Sequence, residues 1–283
     1  MKLDVGKHFA HSARVTPRAV AGLGEQSRHG ENLSAKVNVL GVFVDATNLT
    51  DGTLQVMRWI AEEKKTYVCV TGVHGIMESQ RDPDLKRVHN SAGLVTPDGM
   101  PLVYISRAAG HPACGRVYGP DFMLEILRES VVHGYRHFFF GATPKTLNRL
   151  TERLQKRYPG LQIAGTYSPP FRPLTEFERA DIVAQMNNSS PHVVWVGLST
   201  PKQERWMADY RPSLEAPVLI GVGAAFDFHA GTVRQAPAWM QPLCLEWLFR
   251  LLVEPRRLWK RYLSNNPVFI VALAAQWLGL KKY

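Results

Sequence analysis

Val193-Val194-Trp195-Val196-Gly197-Leu198-Ser199-Thr200-Pro201-Lys202-Gln203-Glu204 is the stretch whose reading decides the fold. An unbroken apolar run reads as a strand buried on both faces. Small residues turn the chain after Gly197, and Pro201 suits the entry to a helix, expected over Lys202 to Tyr210. A buried strand that passes through a short turn into a helix is the repeating unit of a parallel sheet.

The unit recurs on both sides. A strand over Val37 to Val44 ends at Asp45, before a helix from Leu49 to Glu63. Tyr67 to Thr71 ends at Gly72, with a helix onward to about His89. A strand beginning at Leu94 runs into Thr96-Pro97-Asp98-Gly99, before a helix over Met100 to Ala108. After a helix from Pro120 to Val132 come strand Arg136 to Phe140, helix Lys145 to Tyr158, strand Leu161 to Tyr167 and helix Glu176 to Asn187. Val218 to Val222 closes the series at Gly223-Ala224-Ala225-Phe226-Asp227. The expectation is an α/β fold, a Rossmann-like parallel sheet with helices on both faces. Ligands in such folds sit at the carboxyl ends of the strands.

Composition divides the chain. With 283 residues, 45% hydrophobic and 20% charged, it suits one large domain plus an appendage. Residues 1–36 lack a sustained period and read as a mobile leader. Residues 37–234 form the expected α/β catalytic core, and 235–283 a basic helical C-terminal appendage. The net charge is +10, and residues 242–283 hold seven Lys/Arg against two Asp/Glu. This tail interleaves arginines with Trp and Leu and has no long Lys/Arg run, which favours an anionic lipid surface over nucleic acid. The three cysteines show no Cys-x-x-Cys pair, as in a reducing compartment without structural zinc. No secretory signal opens the sequence. The apolar stretch from Pro267 to Leu280 is interrupted by Gln276 and falls short of the roughly 20 residues of a membrane span, so it reads as an interfacial or packed helix.

Chemistry is expected at the strand-end loops. Asp98, just past a strand end and followed by glycine, suits a base that accepts a proton from a substrate hydroxyl, although the commoner use of Asp-Gly after Pro is a turn or a helix cap. The helix start at Ser199-Thr200-Pro201 favours phosphate, with Gln203 in its first turn, or is plain capping. Gly221-Val222-Gly223 lacks the third glycine of a dinucleotide fingerprint, so a ribose held by Asp227 fits better than a nicotinamide site. Asp82-Pro83-Asp84 matches an Asp-x-Asp metal motif in form only, and reads as a helix start. His74 is the lone histidine at a strand end, a packing residue or part of a sugar pocket. No Gly-x-Ser-x-Gly elbow or phosphate-cradling Gly-x-x-x-x-Gly-Lys loop is present.

Six collinear blocks carry a resemblance. They are Thr96-Pro97-Asp98-Gly99-Met100-Pro101-Leu102-Val103, Arg116-Val117-Tyr118-Gly119-Pro120-Asp121, Phe140-Gly141-Ala142, Val196 to Met207, Gly221 to Gly231, and the tail from Glu246-Trp247 to Arg261. Together they resemble the WecG/TagA/CpsF family, glycosyltransferase family 26, over about Val37 to Leu263. The resemblance implies an inverting, metal-independent transferase, peripheral to the cytoplasmic face of the plasma membrane and without a cofactor. It would move a sugar from a UDP-sugar to a polyprenyl-diphosphate-linked saccharide during surface or exopolysaccharide synthesis. Asp98 would be the base, with Thr71 beside it. Arg116 and Gln203 would hold phosphate and sugar oxygens, and Asp227 and Gly141 would border the uridine. The tail residues Arg250, Arg256, Arg257 and Arg261 would grip the acceptor diphosphate. Asp98, Gln203 and Asp227 would share one concave pocket. Members using N-acetylmannosamine often carry Thr-x-Asn-Pro where this chain has Thr71-Gly72-Val73-His74, a departure that points to a glucose-type donor. A homo-oligomer stays open. The competing readings are a non-catalytic lipid- or nucleic-acid-binding protein on the same scaffold, and a nicotinamide-dependent oxidoreductase.

Overall fold

The apolar runs deal their side chains alternately to two faces of one sheet. The structure, a computed structural model, describes residues 34–283 apart from the side chains of Ala238, Arg257 and Arg261. Six parallel strands, β3 (Thr66–Thr71), β4 (Leu94–Pro97), β5 (Arg136–Gly141), β6 (Gln162–Tyr167), β7 (Val193–Gly197) and β8 (Val218–Gly221), lie in the order β4-β3-β8-β7-β5-β6. Tyr67, Cys69, Phe138, Phe140, Val194 and Val196 face one core, while Val68, Val70, Phe139, Val193 and Trp195 face the other. This period of two, inside runs with no polar residue, is what a strand covered on both sides requires.

Helices fill both sides. α1 (Leu49–Ala61), α5 (Gly119–His133), α6 (Pro144–Arg157) and α9 (Ala225–Ala230) pack on the Trp195 face. α2 (Val73–Arg81), α4 (Met100–Ala108), α7 (Glu176–Ser189) and α8 (Lys202–Tyr210) cover the other. Buried His137 belongs to this packing: Trp195 Nε1 donates to its Nδ1 at 3.1 Å, and burial pushes its pKa down to about 3, so the ring is neutral.

Two expectations are corrected. The strand expected over Val37 to Val44 is a hairpin, β1 (Lys36–Val39) and β2 (Val42–Asp45), turned by Leu40 at φ 52° and Gly41 at φ 82°. Two successive left-handed residues are the geometry of a tight hairpin turn, and Leu40 hides it in sequence because it is itself buried. The single helix expected between Gly72 and His89 is α2 followed by α3 (Pro83–Asn90). Asp82 leaves the helical region and accepts from the N–H groups of Asp84 and Leu85, and Pro83 opens the second helix. Asp82 also pairs with Arg205, which accounts for the Asp-x-Asp motif as a cap and an ion pair. Of the expected leader, residues 1–33 lie outside the described residues, and Lys36 already belongs to β1.

Past the sheet come α10 (Glu246–Val253) and α11 (Pro255–Trp277), which contains Pro267. α11 lies against α2. Its Phe269 is buried in the core, and its Asn265 accepts from Arg81 Nη2 at 2.7 Å and meets His74 Nδ1 at 3.1 Å. Gln276, the break in the apolar stretch, is where the helix is fastened to the hairpin. Its Oε1 accepts from Leu40 N and its Nε2 donates to Asn38 O, each at 2.9 Å. No helix among the described residues is long and apolar enough to cross a membrane. Gln276→Ala would leave the Leu40 N–H without its partner, at about 1–3 kcal/mol. A thermal melt should show a loss of roughly 2–4 °C per kcal/mol; an unchanged melting temperature would show that the contact contributes nothing.

Candidate active site

A cavity of about 460 Å³ opens at the carboxyl ends of β3 and β4. Gly72, Val73 and His74 line it from the start of α2, and Asp98, Gly99, Met100 and Pro101 from the start of α4. Neither helix has a side-chain cap, because each N-cap residue is a glycine. The first turn of α2 therefore faces this space with its N–H groups, and α4 adds Met100 N–H and the positive end of its dipole, Pro101 having no N–H and Leu102 N–H being bonded to Gly99 O, which favours an anion there. The tail roofs the cavity with Cys244, Glu246, Trp247, Arg250, Tyr262 and Phe269.

Asp98 is held by its backbone and left reachable by its side chain. Its N–H donates to Thr71 O at 2.9 Å, its carbonyl accepts from Arg116 Nε, and its Oδ1 receives Gly119 N–H at 3.3 Å. The side chain is 34% exposed, enough for a substrate to reach. Arg116 Nη2 lies 4.0 Å from Asp98 Oδ1 and 2.6 Å from Glu246 Oε2, and the guanidinium sits 4.1 Å from the Tyr118 ring centre. Burial pushes the Tyr118 hydroxyl up, Asp98 and Glu246 add to this, and Arg116 and Arg250 oppose it. Burial likewise raises the Glu246 and Asp121 carboxyls, with Arg116 pulling both back. Two carboxylates and two guanidiniums thus surround one half-buried phenol.

Not every expected residue reaches this space. Asp98, Arg116, His74 and Arg250 line the cavity. Thr71 does not line it: the residue is 1% exposed, its side chain packs close against Gly75, and only its carbonyl serves the site, by accepting from Asp98 N–H. The shared pocket of Asp98, Gln203 and Asp227 is not formed. Gln203 is buried, donating through Nε2 to Glu204 Oε1 at 3.1 Å beneath the Gly221–Gly223 turn. Asp227 accepts from Thr232 Oγ1 at 3.1 Å. Thr200, in the turn before α8 and three residues ahead of Gln203, and Phe228, next to Asp227, line the cavity instead. Thr200 Oγ1 is itself fixed on Glu204 Oε1 at 2.8 Å. Gly141 stands four strand spacings from β4, about 19 Å across the sheet. Its glycine answers to the backbone: φ is 124°, and a Cβ would meet Gly197 O at 2.6 Å. Arg256 is exposed and does not line the cavity, and the side chains of Arg257 and Arg261 lie outside the described residues.

Glu246, Tyr118 and Asn265 are residues of the cavity that the sequence did not single out. The available signal for Glu246 was an acid opening a largely cationic, apolar tail that holds just one other, Glu254. Among the described residues no three His, Cys, Asp or Glu side chains gather as metal ligands.

The chain is 30% identical over 215 residues to the N-acetylglucosaminyldiphosphoundecaprenol N-acetyl-beta-D-mannosaminyltransferase of Bacillus spizizenii, covering 76% of this chain and 81% of that protein. The identically named protein of Bacillus subtilis is 34% identical over 184 residues, or 65% of this chain and 70% of the relative. That of Staphylococcus aureus is 26% identical over 261 residues, 88% and 96% of the two chains. The profile of the glycosyl transferase WecG/TagA/CpsF family matches residues 37–283. An α/β chain with its carboxylate and guanidinium groups at one strand edge, matched over that whole span, belongs to the WecG/TagA/CpsF family of glycosyl transferases.

Proposed function

We propose that this chain transfers a sugar from a UDP-sugar to a polyprenyl-diphosphate-linked saccharide, with inversion, at a membrane surface. The observation that carries the reading is Asp98, exposed in a roofed cavity and 4.0 Å from a cation. One displacement that inverts the anomeric centre needs a base on the acceptor hydroxyl and stabilisation of the charge growing on the departing UDP. Asp98 takes the hydroxyl proton as the oxygen attacks and the sugar–phosphate bond breaks. Arg116, Arg250 and the open N-termini of α2 and α4 face the phosphate charge. The tail residues above them keep out water, the competing acceptor.

The acceptor is proposed as an N-acetylglucosaminyl diphospholipid, in line with the names of the relatives. Those names carry N-acetylmannosaminyl transfer and lend no support to the glucose-type donor that Thr71-Gly72-Val73-His74 suggested. UDP-N-acetylmannosamine is therefore the first donor to test. Val73 and His74 line the cavity in place of the Asn and Pro of the family pattern, and there they would touch the sugar.

Membrane docking is proposed through α11. Trp259, Leu263, Ile270 and Trp277 fall on one helical face at spacings of four, seven and seven, and are 47%, 62%, 66% and 62% exposed. Exposed Arg256 and Lys260 flank its start, as an anionic headgroup layer would require.

A donor screen with UDP-N-acetylmannosamine, UDP-glucose and other UDP-sugars, against a short-chain polyprenyl-diphosphate-sugar acceptor, tests the reaction. No transfer from any UDP-sugar would remove the reading. Asp98→Asn should lower kcat by about 10²–10⁴-fold with UDP binding retained, and near-normal turnover would eliminate Asp98 as the base. The double variant Trp259→Glu with Leu263→Glu should weaken co-sedimentation with anionic vesicles at least about tenfold and still turn over a water-soluble acceptor. Undiminished vesicle binding would exclude this face as the docking surface.

A further inference from the structure

Arg116 is an anion receptor that already holds an anion of its own chain. Its Nη2 is 2.6 Å from Glu246 Oε2, its Nε donates to the Asp98 carbonyl, and its plane rests on Tyr118. Its Nη1 is buried and has no hydrogen-bond partner among the described residues, and the same is true of Arg250 Nε in the same cavity lining. A guanidinium binds most strongly when its fork meets two oxygens of one anion. Glu246 engages Arg116 through Nη2 and leaves Nη1 over.

We propose that Glu246 is the placeholder anion of the phosphate subsite, holding Arg116 in register until a substrate diphosphate takes the guanidinium over. Diphosphate affinity is then set by competition with a carboxylate of the chain itself. Three observations make the exchange feasible. A diphosphate offers several oxygens where the carboxylate offers two, so it can also satisfy Arg116 Nη1 and Arg250 Nε. Glu246 sits in the first turn of α10, a helix none of whose residues is fully buried, so the helix can shift without opening the core. Burial disfavours the Glu246 carboxylate where it lies, and Arg116 is the chief group opposing that. The carboxylate therefore gains water when it yields its place. Asp98 and Arg250 also face it, and Cys244 and Tyr118 lie close by.

The inference rests on the transferase reading for the identity of the anion, and its test does not need turnover. Inorganic pyrophosphate is titrated calorimetrically into the full chain, Glu246→Gln and Glu246→Asp, with thermal melts to establish that each is folded. Relief from competition should tighten pyrophosphate binding by about fivefold in Glu246→Gln, the scale of a partly exposed ion pair. Glu246→Asp keeps the charge but retracts it, and should fall between the two, which keeps the test alive should the glutamine variant not fold. Unchanged or weaker binding in the folded variants overturns the proposal, and so does an absence of pyrophosphate binding throughout. Turnover of a UDP-sugar with no effect at Glu246 would sink this inference alone. Tighter pyrophosphate binding without turnover of any UDP-sugar would sink the transferase reading alone.

Discussion

Six parallel strands stop at the same edge, and no loop can leave that edge without crossing the mouth of the sheet. In this chain the edge brings the turn after β3, the turn after β4 and the segment before α5 side by side, because β3 and β4 are neighbours. Asp98 N–H bonding to Thr71 O, and Val117 N–H to Pro97 O, continue the pairing past the strands themselves. The Asp98 carboxylate is thereby set on a rigid ladder rather than on a free loop, and the Arg116 guanidinium is tied to the same backbone. Positioning of this kind lets a modest number of polar groups act together.

Electrostatic balance at the mouth follows from that placement. Arg116 stands between Asp98 and Glu246, with the Tyr118 ring beneath it. The carboxylates keep a buried cation acceptable, and the cation keeps two carboxylates acceptable near one another. Adding the N-termini of α2 and α4 leaves a field that favours an incoming anion. The roof matters as much as the floor: the strand edge provides Asp98 and Arg116, but the tail provides Glu246 and Arg250, two of the four charges around Tyr118.

The fold was legible wherever a strand is buried on both faces. β7, α4 and α8 fall on the residues read from sequence, since an unbroken apolar run followed by Gly, Ser or Pro has few alternatives. The reading failed where the apolar pattern runs on through a turn, as at Leu40, and where two helices of like pattern meet at a capping residue, as at Asp82. At the site, the place of Asp98 was legible because strand ends declare themselves, whereas Arg116 was named only through the family resemblance. Gln203 and Asp227 sit on the right segments, but the residues that line the cavity are Thr200, three positions before Gln203, and Phe228, next to Asp227. Sequence position names a loop, whereas pleat and helical phase decide which side chain enters it. Glu246 was out of reach because its partner comes from a distant block, and spacing along the chain carries no information about that meeting.

Asn38 and Leu40 are joined to Gln276 across 238 and 236 residues of sequence. On the ribosome the hairpin emerges early and waits for a partner that is made much later. The sheet can form as its strands appear, but the clasp between first hairpin and last helix cannot close until residue 276 is free. A nascent chain would therefore carry an unroofed edge until residue 276 has left the ribosome.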